Sequence, residues 1–206
     1  MVVLIGLVGY ARSGKDTFAH VLEKQHGFVR LAFADQIREI AYLLGYQLYL
    51  GSDKNGDEYD GETYTEAIDR AGYEEVKRLY PEARQWLVKI GHGFRQVFGD
   101  SFWLNQVVNQ IEDFDGDQGI VVSDCRYLNE AHEIKRLGGI LVYIERPGCG
   151  PANETEEASV AEILNEANLV SHVISNEGTL REFKQRVYEW SLNVSSSPSP
   201  AAVPDA

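Results

Sequence analysis

The 206-residue chain holds two cysteines, Cys125 and Cys149. That is too few for a disulfide framework or a four-cysteine zinc site, and free thiols fit a reducing compartment. Long apolar runs are missing too. Met1 to Val8 is apolar but far short of the ~20 residues that span a bilayer, and no basic segment precedes it as in a secretory leader. The expectation is a soluble, cytoplasmic protein. Positive charge is scarce: 19 Lys+Arg against 32 Asp+Glu leave −13. A protein that coats DNA or RNA needs the opposite balance to displace counterions, and an anionic membrane surface is disfavoured for the same reason. A small phosphorylated ligand stays compatible, because a local cluster of donors can hold one inside an acidic protein. The five histidines never pair at metal-ligand spacing, which argues against a zinc enzyme. Asp53 to Asp57 and Asp113 to Asp117 resemble calcium loops faintly, but lack the glycine and terminal glutamate such loops need. Both read as turns.

What is present is an alternation of apolar strands with helical segments. Val2 to Val8 is a continuous apolar run, the pattern of a strand buried on both faces. Further strands are expected at 28–33, 120–123, 140–144 and 172–175. Helices are expected at 15–25, 35–44 (with Asp35 as N-cap), 65–79, 82–97, from Ser101 to 111, and at 129–137, 154–166 and 180–192. Strands alternating with helices imply an α/β fold, a parallel sheet of about five strands with helices on both faces, and ligands at the carboxyl ends of the strands. Residues 45–82 are acidic, Tyr-rich and without a buried strand pattern, so they read as an insertion in one domain spanning 1–192. The Ser- and Pro-rich tail, 193–206, cannot bury apolar area and reads as disordered.

Gly9-Tyr-Ala-Arg-Ser-Gly-Lys-Asp-Thr17 joins the first strand to the first helix with the spacing G-x-x-x-x-G-K of a P-loop. Glycines at 9 and 14 permit a backbone that turns successive N–H groups toward one point. The helix N-terminus adds partial positive charge, and Lys15 can reach the β- and γ-phosphates of a nucleotide. Gly9, Ala11, Arg12, Ser13, Gly14, Lys15, Asp16 and Thr17 are therefore the candidate ATP-binding set. Roughly 0.06 matches to the bare pattern would arise by chance, so its placement between strand and helix is what gives it weight. Asp16 stands where a hydroxyl normally ligates Mg²⁺, and Thr17 follows it. This leaves Thr17, Asp16 or water as the metal contact. Adenylate kinases depart from the pattern in a similar way.

The motifs of a GTP switch, D-x-x-G and N-K-x-D, do not occur in the required setting. Instead, Asp124 and Arg126 lie just past the strand 120–123, where Asp124 could hold Mg²⁺ and Arg126 could clamp a transferred phosphate. An N-cap aspartate paired with a neighbouring arginine is the alternative.

The P-loop stretch, Phe33-Ala-Asp-Gln-Ile-Arg38, Arg84-Gln-Trp-Leu87, Gly91-His-Gly-Phe-Arg95, Phe102-Trp103, Ser123-Asp-Cys-Arg-Tyr-Leu-Asn-Glu130, Glu145-Arg-Pro147 and Ser175-Asn-Glu-Gly-Thr-Leu180 together resemble the deoxynucleoside monophosphate kinases of tailed bacteriophages. The likeness runs over roughly residues 1 to 190. It implies a P-loop NTPase fold and Mg²⁺-dependent transfer of the ATP γ-phosphate to a deoxynucleoside 5′-monophosphate, in the host cytoplasm if a phage encodes the chain. It implies Lys15, Arg126 and Arg146 at the transferred group. Thr17 and Asp124 would serve the metal. Asp35, Arg38, Arg84, Arg95, Trp103, Asp124 and Arg126 would serve the acceptor, although Asp35 reads equally well as a cap and Trp103 as core. It also implies a lid near 147–166, where the segment Glu154 to Val160 departs from the family's usual cluster. Other readings are a P-loop kinase for dephospho-coenzyme A or a phosphomevalonate-like acceptor, and a non-catalytic nucleotide-binding regulator. Apolar residues between Trp86 and Phe98 offer a surface for a homodimer.

The acidity is not spread evenly. Residues 45–82, 112–117 and 145–166 hold −15 between them, leaving +2 for the rest. The phosphate-handling framework is thus slightly basic.

Overall fold

A computed structural model describes residues 2–49 and 61–195. The chain divides into two compact units, one built from 1–32 and 107–206, the other from 33–106.

The first unit is built on five parallel strands: β1 (Leu4–Val8), β2 (Val29–Leu31), β5 (Ile120–Val122), β6 (Ile140–Glu145) and β7 (Val170–Ser175). Their order is β2-β5-β1-β6-β7, so the apolar first strand is central. Leu4 pairs with Ile120 on one side and Ile5 with Ile140 on the other. A central parallel strand is covered on both faces, which is why all five residues of β1 are buried.

Strand alternation assigns the two layers. Ile5 and Leu7 join a core with Phe18 and Leu22 of α1 (Lys15–His26) and with Phe183 and Val187 of α9 (Leu180–Ser195). Between them, Gly6 points the other way, where a Cβ would meet Leu141 at 2.7 Å and Ile134 of α7 (Leu128–Arg136) at 3.3 Å. The helix α8 (Glu154–Asn165) completes this unit, capped by the Asn153 side chain on the Glu156 amide. The expected five-stranded parallel α/β arrangement is what the chain forms. The last helix runs three residues beyond Leu192. The rest of the expected disordered tail, 196–206, lies outside the described residues.

The second unit contains α2 (Asp35–Leu44), a short antiparallel pair of β3 (Gln47–Leu48) and β4 (Glu62–Thr63), then α3 (Tyr64–Ala71), α4 (Tyr73–Leu79) and α5 (Pro81–Phe98). Its own core gathers Ala41, Leu48, Tyr64, Ala67, Val76, Tyr80, Ala83 and Ile90. The unit boundary falls inside α6 (Phe102–Glu112). Three expectations change here. The helix expected over 65–79 is two helices, broken at Gly72 with φ of 75°, a conformation that favours glycine. The segment expected to lack strands carries the pair β3–β4. The N-cap of α2 is Ala34, with no side-chain cap bond. Asp35 is the first helical residue, and its carboxylate instead accepts from Arg38 at 2.9 Å. The calcium-like turn at Asp53 to Asp57 lies outside the described residues. Asp113 sits in a turn after α6, and Asp117 lies at a bend.

Candidate active site

The loop between β1 and α1 winds through backbone conformations that few residues adopt. Gly9 has φ of 149°, Gly14 of 115°, and Arg12, a non-glycine, 64°. Gly9 also has no space for a side chain, since a Cβ would sit 2.7 Å from Ser13 Oγ and 2.8 Å from the Ile144 carbonyl. The loop closes on itself where the Ser13 amide donates to the Tyr10 carbonyl at 3.1 Å. Lys15, the first residue of α1, folds back so that Nζ donates to the carbonyls of Gly9 at 2.6 Å and Tyr10 at 2.9 Å. Burial, and then the nearby Arg126 charge, hold its pKa below the ordinary lysine value, while Glu156, Asp16 and Asp124 act in the opposite direction. Arg126, Glu156, Asp16 and Asp124 are thus each within electrostatic reach of Lys15.

Arg146 lies just past β6 and donates from Nη1 to the Arg12 carbonyl at 3.0 Å. Arg126 follows β5; its amide donates to Glu130 Oε2 at 2.7 Å and its side chain is exposed. The buried Glu130 also accepts the Tyr127 amide at 3.0 Å, which fixes the turn from β5 into α7 that presents Asp124 and Arg126. Asp16 is exposed and forms an ion pair with Arg30 of β2, whose Nε donates to Ser123 Oγ at 3.1 Å. The carboxylate at the usual hydroxyl position is therefore engaged by an arginine. Thr17 is in the first turn of α1 and half-buried.

Arg30, Glu156 and Cys149 were not found as site residues by sequence reasoning. Arg30 carried no signal, because its partner Asp16 lies on another element. Glu156, read only as part of a polar helix, accepts the Ala11 amide at 2.9 Å through Oε1 and the Ala152 amide at 2.6 Å through Oε2. Cys149, read only as a free thiol, donates from Sγ to the Ala11 carbonyl at 2.9 Å. Both belong to the segment 147–166 expected to act as a lid, and both hold the loop.

The remaining candidates belong to the second unit. Arg38 pairs with Asp35 and lies over the Tyr73 ring, 4.4 Å from its centroid. Arg84 and Arg95 are both on α5. Trp103 is 2% exposed; its ring packs against Phe94 and Phe102, and its Nε1 donates to the Gly91 carbonyl at 2.9 Å. Such enclosure is that of a core aromatic. Trp86, by contrast, is 39% exposed and stacks on Tyr46.

No family model matches the chain. A protein of Acanthamoeba polyphaga mimivirus named "Putative deoxynucleotide monophosphate kinase" is 29% identical over 202 residues, covering 94% of this chain and 98% of its own length. It comes from a giant virus, so the likeness is not confined to tailed bacteriophages. Among solved structures, dephospho-CoA kinase from Campylobacter jejuni superposes with a TM-score of 0.51 at 16% identity, covering 95% of this chain and 98% of that one. At that identity the likeness speaks for the fold. No described helix is long and apolar enough to cross a membrane. The chain has the α/β fold of that dephospho-CoA kinase, and over nearly its whole length its sequence is similar to that viral protein.

Proposed function

We propose that the chain transfers the γ-phosphate of ATP to a deoxynucleoside 5′-monophosphate. The observation that carries the reading is the phosphate loop with Lys15 folded over it, in a chain similar end to end to a protein named for that activity. The loop fits a polyphosphate. Amides at the start of a helix have no intrahelical acceptor, and the helix dipole favours an anion there. In addition, the Ser13 hydroxyl is buried and has no hydrogen-bond partner among the described residues.

Phosphoryl transfer asks the protein mainly for alignment and charge neutralisation. Lys15 would leave its carbonyl partners for the β- and γ-phosphate oxygens. Arg126 and Arg146, both at strand ends, would hold the transferred group. Mg²⁺ takes few protein ligands and keeps several waters; Thr17 and Asp124 are the residues that would hold it. Its charge would neutralise the triphosphate. Asp16, already paired with Arg30, is assigned to the ion pair and not to the metal. Asp35, Arg38, Arg84 and Arg95 are carried as acceptor contacts, each open to test by its effect on acceptor KM, whereas the enclosed Trp103 is assigned to the core. Residues 147–166 are read as a lid, supported by the bonds of Cys149 and Glu156 to Ala11. The buried, free Cys125 supports a reducing, cytoplasmic setting, and exposed Val88, Val97 and Phe98 support a homodimer, which sedimentation would test.

The experiment is an ADP-release assay across the four deoxynucleoside monophosphates, with dephospho-coenzyme A and phosphomevalonate as further acceptors. Turnover with at least one monophosphate is expected. ATP binding without turnover on any of them would overturn the reading.

A further inference from the structure

Every carbonyl of the phosphate loop from Gly9 to Ser13 accepts a hydrogen bond from a side chain. Lys15 takes those of Gly9 and Tyr10. Cys149 takes Ala11 at 2.9 Å, Arg146 takes Arg12 at 3.0 Å, and Asn176, just beyond β7, takes Ser13 through Nδ2 at 2.7 Å. A trans peptide plane carries its C=O and N–H on opposite sides. Each carbonyl drawn to a side chain therefore turns the following amide the other way.

For the Ser13–Gly14 plane the amide so turned belongs to Gly14, at the mouth of α1. Two further observations set Asn176 apart. Its own backbone is fixed, since its amide donates to the Glu145 carbonyl at 2.6 Å, tying it to the end of β6. A Cβ on Gly14 would also lie 2.5 Å from Asn176 Nδ2 and 3.0 Å from the Phe183 ring. The second glycine of the motif is thus required by the Asn176 carboxamide as well as by its φ.

We propose that Asn176 is a positioning residue for phosphate binding: its carboxamide holds the Ser13 carbonyl away from the ligand and so aims the Gly14 amide at a bound phosphate. The inference rests on the kinase reading only in that the loop must bind a phosphorylated ligand. Asn176 touches the loop and not the reacting atoms, so its effect is on affinity for phosphate.

Asn176→Asp keeps the shape but sets an acceptor against the Ser13 carbonyl; Asn176→Ala removes the group. The test is calorimetric binding of inorganic tripolyphosphate, which reports on the loop alone, and of ATP, both to the full-length chain. Both ligands should weaken about tenfold in either variant, the loss expected for one hydrogen bond. Unaltered tripolyphosphate affinity in the folded variants would overturn the proposal, even if both melt at lower temperature, because that pattern marks a purely structural role. Should the Asp variant not fold, the Ala variant carries the same comparison. Wild-type protein that binds neither ligand would overturn the phosphate-loop reading beneath the proposal, a result recognisable without any variant.

Discussion

The Glu156 carboxylate accepts the amide of Ala11 at 2.9 Å, so an acidic side chain of α8 is seated on the phosphate loop itself. The same carboxylate works against the lowering of the Lys15 pKa by burial and Arg126, which places its charge within reach of the residue expected to meet the triphosphate. Glutamine at 156 can still accept from Ala11 but carries no charge. Removing a like charge near a polyanion in a half-buried setting favours binding. Glu156→Gln should therefore lower the Kd for ATP by about fivefold, measured by calorimetry. An unaltered or higher Kd would show that the carboxylate does not oppose the nucleotide.

Lys15 has a pH signature. Burial and Arg126 hold its folded-state pKa below the ordinary value, so the folded chain releases this proton more readily than the unfolded chain does. The cost of keeping it charged is fully present at neutral pH and is relieved as pH rises through the lowered pKa toward the unfolded value. Relative to Lys15→Met, wild type should gain stability between about pH 7 and about pH 10. Urea denaturation of both proteins at the two pH values checks this. A constant difference would contradict the shift. The same variant should lose phosphoryl transfer by about a thousandfold at neutral pH while remaining folded.

The two thiols differ. Cys125 is fully enclosed, and burial, followed by the charges of Glu130 and Asp124, pushes its pKa well up. Thiolate is the reactive form, so Cys125 should be inert in the native protein. Cys149 is half-buried beside Ala11. Titration with a chromogenic disulfide reagent should show one thiol reacting natively and the second only in denaturant. Equal rates for both would contradict the burial of Cys125.

Trp103 was expected to touch the acceptor or to sit in the core, and its enclosure decides between consequences. Trp103→Ala should cost about 3–5 kcal/mol of stability, the range for large aromatic truncations in cores, measured by urea denaturation. Trp103→Phe keeps a ring but leaves the Gly91 carbonyl without its indole donor. That variant should be modestly destabilised with the KM for the acceptor unaltered. A raised acceptor KM in a stable Trp103→Phe would restore the stacking role.

What could be read from sequence followed local chemistry. The apolar Val2 to Val8 run, the glycines at 9 and 14 and the lysine after them specify strand, turn and helix within a few residues, and Gly27 ends α1 in the left-handed conformation its position suggested. The place of Asp124 and Arg126 just past a strand was legible because a buried apolar run, β5, stops before them. The break at Gly72 was not, because a glycine inside a helical pattern is compatible with either outcome. Nor were the tethers of the loop. Asn176 lies 163 residues from Ser13, and Glu156 lies 145 from Ala11. Nothing in the spacing of one segment encodes which distant side chain will meet its carbonyls and amides.

On the proposed function, this loop serves a kinase acting on deoxynucleoside monophosphates. Initial rates of ADP release with ATP and each of the four monophosphates, for wild type and for Lys15→Met, test it most directly. Wild type should turn over at least one monophosphate, and the variant should lose that turnover. Turnover only with dephospho-coenzyme A or phosphomevalonate, or full activity in Lys15→Met, would contradict it.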